Sequence, residues 1–358
     1  MLNWLLILVP VAIALEHLAP ERHLVVFVAA ALAILPLAGW MGRATEQLAE
    51  RSGEGVGGLL NATFGNAAEL IIALAALRAG LYDVVKASIA GSIIGNILLV
   101  LGAAMLAGGL RHREQHFNAS GARSQATLLT LAAIALILPA AYNAAAAAHF
   151  PGGVGLLSIS IAVVLLAVYV LFLVFSFVTH KDLFSGSLGP EHHEEHQPAW
   201  STARATAVLA GTTVLVAWVS EILVGAIEPT AHEFGLSNVF VGVFMVAILG
   251  NAAEHATAVS AALKNRMDLS LSIAIGSSVQ VALFVAPVLV LASLVIGPAP
   301  MDLAFSAGLV LTVLLSVLIT GQVAGDGRSD WLKGVQLLAE YVILGLAFFF
   351  VTPEKPPA

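Results

Sequence analysis

"GNAAELIIALAALRAGLYD" (65–83) opens with five letters that return in "GNAAEHATAVSAALKNRMD" (250–268). Each copy lies inside a long apolar stretch, where an ionisable side chain is expensive and marks function by default. Aligned at a shift of 185 residues, the two copies continue without a gap. Ala73 falls on Ala258, Asp83 on Asp268, Gly91 on Gly276 and Ser92 on Ser277, with ten identities in 32 positions. Asn66/Asn251, Glu69/Glu254 and Asp83/Asp268 carry the repeat, since alanine and glycine are abundant throughout the chain. The unit reads as two helices joined by a short polar turn, "RAGLYD" or "KNRMD".

The rest of the chain says what surrounds these acids. It has 358 residues, 59% hydrophobic and 10% charged, with a mean hydropathy of +0.96. A soluble domain carries about 25% charged residues, so this surface is expected to face lipid. There is no cysteine, which excludes disulfides, cysteine–zinc sites and thiol catalysis. The net charge of −7 is spread over loops without a basic run, so no nucleic-acid partner is expected. "MLNWLLILVPVAIALEHL" lacks a basic leader and reads as a retained helix.

A spanning helix needs about 20 mostly apolar residues, and eleven candidates follow, near 2–17, 23–42, 56–79, 83–109, 124–147, 153–179, 203–226, 238–263, 268–297, 300–320 and 331–352. Pro36, Pro139 and Pro287 inside them predict kinks. Alternating spans collect Arg43, Arg51, Arg111, Arg113, Arg123, Lys181, Arg204, Lys264, Arg266, Arg328 and Lys333 on one face, leaving Arg22, Arg78, Lys86 and Lys355 on the other. The positive-inside rule makes the first face, with the N-terminus, cytoplasmic, and the C-terminus external. A bacterial inner membrane is the expected location.

The expected fold is all-α and polytopic: an extra N-terminal helix (1–22), a five-helix repeat (23–180), a cytoplasmic linker rich in acids and histidine (181–202) and a second five-helix repeat (203–358). The two motif helices are the third and eighth spans, so they cross in opposite directions. Inverted repeats of this kind place a substrate site near mid-membrane, often at interrupted helices.

Asn and Glu three apart share one helix face, and each face offers a carboxylate and an amide oxygen. Asn66, Glu69, Asn251 and Glu254 form the expected site, with Ser88, Ser92, Asn96, Ser277, Ser278 and Gln280 as further oxygen donors from the neighbouring helices. Ca²⁺ takes six to eight hard oxygens, and Glu69 with Glu254 would neutralise it as the metal carboxylates. Without the ion two close carboxylates cannot both stay charged, so protons compete for the same oxygens, and that competition is enough for exchange.

At these residues the sequence resembles the Ca²⁺/H⁺ antiporters, the cation/proton exchanger branch of the calcium/cation antiporter superfamily. The blocks "GNAAELIIALAALRAGLYDVVKASIAGSIIGNILLVLG" (65–102) and "GNAAEHATAVSAALKNRMDLSLSIAIGSSVQVALFVAPV" (250–288) are similar to that family's two signature regions. The resemblance implies Glu69 and Glu254 as central carboxylates shared by Ca²⁺ and H⁺, hydrophilic cavities lined by the same helix pairs, and no enzymatic activity. Ca²⁺ would be cargo rather than cofactor, and no cofactor is expected. Self-association into a homo-oligomer remains open. The linker, with Glu191, His192, His193, Glu194, Glu195 and His196, is shorter and richer in histidine than the acidic helix of relatives; a regulatory role is its candidate use. Na⁺ as counter-ion, a cation channel and an intramembrane metal-dependent hydrolase are the competing readings.

Three local signals carry less weight. "HHEEH" (192–196) matches H-x-x-E-H, but between Pro190 and Pro198 it reads as a solvated loop. "GEGVGG" (53–58) follows no strand and reads as close helix packing. Gly91 and Gly95 form a GxxxG expected to pack helices closely, and His255, opposite Leu70 in the alignment, is a secondary candidate for proton handling.

Overall fold

The computed structural model describes residues 3–52, 57, 60, 63–146, 152–180 and 200–350, and these are almost wholly helical. After a 3₁₀ turn (Asn3–Ile7), the helices are α1 (Leu8–Leu18), α2 (His23–Ser52), α3 (Ala67–Arg78), α4 (Tyr82–His112), α5 (Ala119–Ala146) and α6 (Gly153–Thr179). The second half holds α7 (Thr202–Glu233), α8 (Asn238–Gly250), α9 (Ala252–Leu263), α10 (Met267–Ala292), α11 (Ala307–Gly325) and α12 (Trp331–Phe349). Two-residue strands, β1 (Gln115–His116) and β2 (Arg328–Ser329), pair antiparallel and tie the α4–α5 loop to the α11–α12 loop.

Helices α4 and α10 form the centre. Their apolar cores are 83% and 78% buried, against 22% for α6 and 17% for α12, which turn Leu156, Leu171, Ile343 and Phe349 outward. Such surfaces are stable only against hydrocarbon. Around the central pair, α2 lies along α7, α11 along α5, and α12 against α4. Glycine lets the centre close. A methyl on Gly91 of α4 would overlap the Val243 backbone of α8, and one on Gly242 would meet Ala87. This is the small-residue packing by which membrane helices approach. Gly95, the other half of the GxxxG, faces nothing within 4 Å.

Hydrogen bonds at the two ends fix the relative direction of α4 and α10. At the start of α4, the Tyr82 hydroxyl donates to the Ala299 carbonyl (2.6 Å) and accepts its N–H (2.8 Å), and Lys86 pairs with Asp302 at 2.6 Å. Ala299 and Asp302 follow the end of α10. At the end of α4, His112 Nε2 lies 2.9 Å from the Leu263 carbonyl, and Gln115 donates to the Ala262 carbonyl (2.8 Å) and to Asn265 (2.9 Å). The Asn118 N–H meets Asp268 at 2.6 Å; these partners flank the start of α10. The two helices are therefore antiparallel, as an inverted repeat requires. Between the ends, Ser278 Oγ donates to the Ile93 carbonyl at 3.3 Å. Residues 93 and 278 are equivalent under the 185-residue shift, and contact between equivalents is what a twofold axis demands.

The structure refines the sequence-based layout. Among the described residues eight helices are long and apolar enough to span a membrane, nine with the bent α8–α9 pair, and the N-terminal helix Asn3–Leu18 falls short. Boundaries also move: α2 continues to Ser52, because "GRATEQLAERS" (42–52) suits a helix leaving the bilayer. The motif spans, each read as one stretch (56–79 and 238–263), are interrupted by turns at Gly65–Asn66 and at Asn251, with a 63° bend between α8 and α9. Glycine in mid-helix supplies the weakness. The start of the third expected span and the linker residues 181–199 lie outside the described residues.

Candidate functional site

Each motif breaks its helix so that asparagine takes the N-cap position and glutamate the third residue inside. Asn66 (φ −97°, ψ 18°) precedes α3, and Asn251 (φ −109°, ψ 8°) precedes α9. The glutamates thus sit in a first turn, where unpaired N–H groups favour negative charge. An N-cap asparagine ordinarily caps its own helix, worth about 1 kcal/mol. Neither does so here; each reaches a serine of the other half instead.

Asn66 Nδ2 donates to Gln280 Oε1 at 2.6 Å and Asn66 Oδ1 accepts from Ser277 Oγ at 2.9 Å. Asn251 Nδ2 donates to Ser92 Oγ at 3.0 Å and to the Ala247 carbonyl at 3.0 Å. The Asn66–Ser277 and Asn251–Ser92 pairs are equivalent under the shift of 185, although the serine donates in the first and the asparagine in the second. Each half's asparagine is therefore held by the other half's long helix. Both serines lie one residue before the position where α4 and α10 touch, so the cluster sits at the centre of the bundle.

The acids face the same centre. Ser92 and Asn251 flank the Glu69 carboxylate, and Glu254 lies within charge–charge reach of it. Ser277 flanks Glu254. Gly250 packs against Glu69, 3.5 Å from its Cβ at the nearest point a methyl would occupy. Both Glu69 oxygens and Glu254 Oε2 are buried with no hydrogen bond. Two carboxylates with open lone pairs, beside amide and hydroxyl oxygens, suit a hard divalent cation. Buried oxygens of this kind are costly if nothing meets them. No cluster of three or more His, Asp or Glu occurs among the described residues, so amide and hydroxyl oxygens would complete the shell.

Of the residues expected from sequence, the structure gathers Asn66, Glu69, Ser92, Asn251, Glu254, Ser277 and Gln280. Asn96 joins differently, its Oδ1 lying 3.2 Å from His255 Nε2. That contact has no counterpart in the other half, where Val281 and Leu70 stand at the equivalent positions. Ser88 and Ser278 donate to backbone, Ser88 to the Val85 carbonyl and Ser278 to the Ala274 and Ile93 carbonyls. Glu191, His192, His193, Glu194, Glu195 and His196 lie outside the described residues. Sequence reading missed the π-helical segments at Gly95–Val100 and Val281–Val285, which begin beside the cluster in α4 and α10. Such wide turns occur often at functional sites; Pro287, which cannot donate to the carbonyl four residues back, was the one available signal.

The chain matches the family described as sodium/calcium exchanger protein over residues 22–178 and 204–350. It is 46% identical to a Ca²⁺/H⁺ antiporter of Aphanothece halophytica, with 98% of this chain and 97% of that one covered. Against the Ca²⁺/H⁺ antiporter ChaA of Bacillus subtilis identity is 42%, covering 96% and 98%. Among solved structures, the Ca²⁺/H⁺ antiporter protein YfkE superposes with a TM-score of 0.81 at 39% identity, covering 98% of this chain and all of that one, 100%.

Proposed function

The chain belongs to the sodium/calcium exchanger protein family, and from that premise we propose that it is a Ca²⁺/H⁺ antiporter whose two cargoes share Glu69 and Glu254. It is an integral membrane protein and a transporter. The observation that carries the site assignment is the pair of open carboxylates at the bundle centre, framed by the reciprocal Asn66–Ser277 and Asn251–Ser92 bonds. Ca²⁺ bound between the glutamates cancels their charge, and protons on the same oxygens do likewise. An empty, doubly charged pair is the costly state in a low-dielectric interior, so the site changes sides loaded with one cargo or the other. Asn66, Asn251, Ser92, Ser277 and Gln280 serve as the polar frame and supply further oxygens. The halves 23–180 and 203–358, with residues 1–22 additional, are the bodies that rock about this centre.

The face bearing Arg43, Arg111, Arg123 and Lys264 is taken as cytoplasmic by the positive-inside rule, and a bacterial inner membrane suits the bacterial origin of relatives above 40% identity. Everted vesicles test the reading. Wild type takes up Ca²⁺ against its gradient when the lumen is acid, and Glu69→Gln or Glu254→Gln lowers that uptake at least a hundredfold while protein still reaches the membrane. Near-normal uptake in either variant removes the shared-carboxylate assignment. Uptake that follows a Na⁺ gradient and ignores the pH step assigns Na⁺ as the counter-ion instead.

A further inference from the structure

The second half of α2 and the start of α7 bring together four side chains from distant parts of the chain. Trp40 and Trp200 stack with ring centroids 5.6 Å apart and planes 24° from parallel. Arg43 lies over the Trp40 ring, its guanidinium carbon 5.9 Å from the centroid, and Arg204 lies over Trp200 at 4.8 Å. The stack is braced: Trp40 Nε1 donates to Asn3 Oδ1 at 3.2 Å, and the Trp200 N–H to Gln47 Oε1 at 2.9 Å. Each guanidinium is held over an indole by cation–π attraction. Acids are near in sequence but engaged elsewhere, Glu50 accepting from Gln47 at 3.3 Å and Glu46 having a contact of its own. Neither arginine forms an ion pair among the described residues.

Two guanidiniums with no ion pair among the described residues, each over an indole, lie on the arginine-rich face. Tryptophan is enriched at the level of lipid headgroups, and basic pockets between helices on the cytoplasmic side hold anionic ones. A planar guanidinium edge matches two phosphate oxygens at once. We propose that Trp40, Arg43, Trp200 and Arg204 form a binding site for the phosphate of an anionic phospholipid, clamping α2 to the start of α7 from outside the ion pathway. Charge complementarity and depth in the bilayer both select a lipid over a soluble anion.

Native mass spectrometry of the purified full chain, offered equal phosphatidylglycerol and phosphatidylcholine, tests this. Wild type should retain phosphatidylglycerol preferentially, and the double variant Arg43→Gln/Arg204→Gln should lose on the order of tenfold of that preference, each basic contact contributing about as much as one headgroup interaction. Unchanged Ca²⁺ uptake in phosphatidylcholine vesicles verifies that the variant is folded. Arg43→Lys/Arg204→Lys keeps the charge but loses the flat stack and should fall between the two. Undiminished retention in the glutamine variant overturns the proposal, and lysine retention equal to wild type overturns the stacked geometry. Displacement by glycerol phosphate at concentrations equal to the lipid overturns the choice of a lipid.

Discussion

Asn251 shows how one side chain is committed. Its two amide protons go to Ser92 and Ala247, which fixes the amide plane beside Glu69. Asn66 is held equally firmly, but by Ser277 and Gln280. Hydrogen bonds involving charged groups are worth roughly 1.5–3 kcal/mol. Asn66→Ala and Asn251→Ala should each raise the KM for Ca²⁺ by on the order of tenfold, measured as initial uptake against external Ca²⁺ at constant pH. Ser92→Ala and Ser277→Ala should do less, because the serines orient the amides. Equal KM values across the four variants would remove the frame from the binding account. The glutamates and asparagines were legible in the sequence because they recur in apolar surroundings. Which serine served which asparagine was not, since that pairing joins residues 211 and 159 positions apart.

Helices α4 and α8 cross where Gly91 meets Val243 and Gly242 meets Ala87. No flexible side-chain tip is available to yield at Gly91, because the obstruction is backbone. Overpacking of this kind costs about 1–3 kcal/mol, and here it would push α8, and with it Asn251, off α4. Gly91→Ala should therefore lower both the thermal midpoint and Ca²⁺ uptake, whereas Gly95→Ala, with open space around it, should leave the thermal midpoint within about 1 °C of wild type, a small step on the scale set by stability changes of this size. A scanning fluorescence melt distinguishes them. GxxxG in the sequence marked the crossing but not which glycine made it. The helix breaks were harder to read: Gly65 and Gly250 stand in uninterrupted apolar runs, and the feature that makes a break affordable, a partner for the freed asparagine, belongs to the other half of the chain.

For the whole molecule, composition and the duplicated motif were sufficient for a polytopic helical fold with antiparallel halves, whereas the ends of the spans were not legible, because helix length near an interface depends on what packs beside it. Trp40 and Trp200 show the same limit, carrying no joint meaning until α2 and α7 lie together. The absence of cysteine makes orientation easy to measure. Glu114→Cys, in the α4–α5 loop, should react with an impermeant maleimide from the cytoplasmic side, and Glu233→Cys, at the end of α7, from the opposite side; the reverse pattern would invert the assigned topology. The reciprocal asparagine–serine stitches also bear on biogenesis. When a ribosome has completed α3, the amide of Asn66 has no ligand, and its partner Ser277 is 211 residues away. At about 5–20 residues per second, the half-made protein waits on the order of 10–40 s with polar groups in its greasy interior. The insertion machinery must shelter that intermediate, and a ribosome stalled before α10 should yield a product cleared by quality-control proteases.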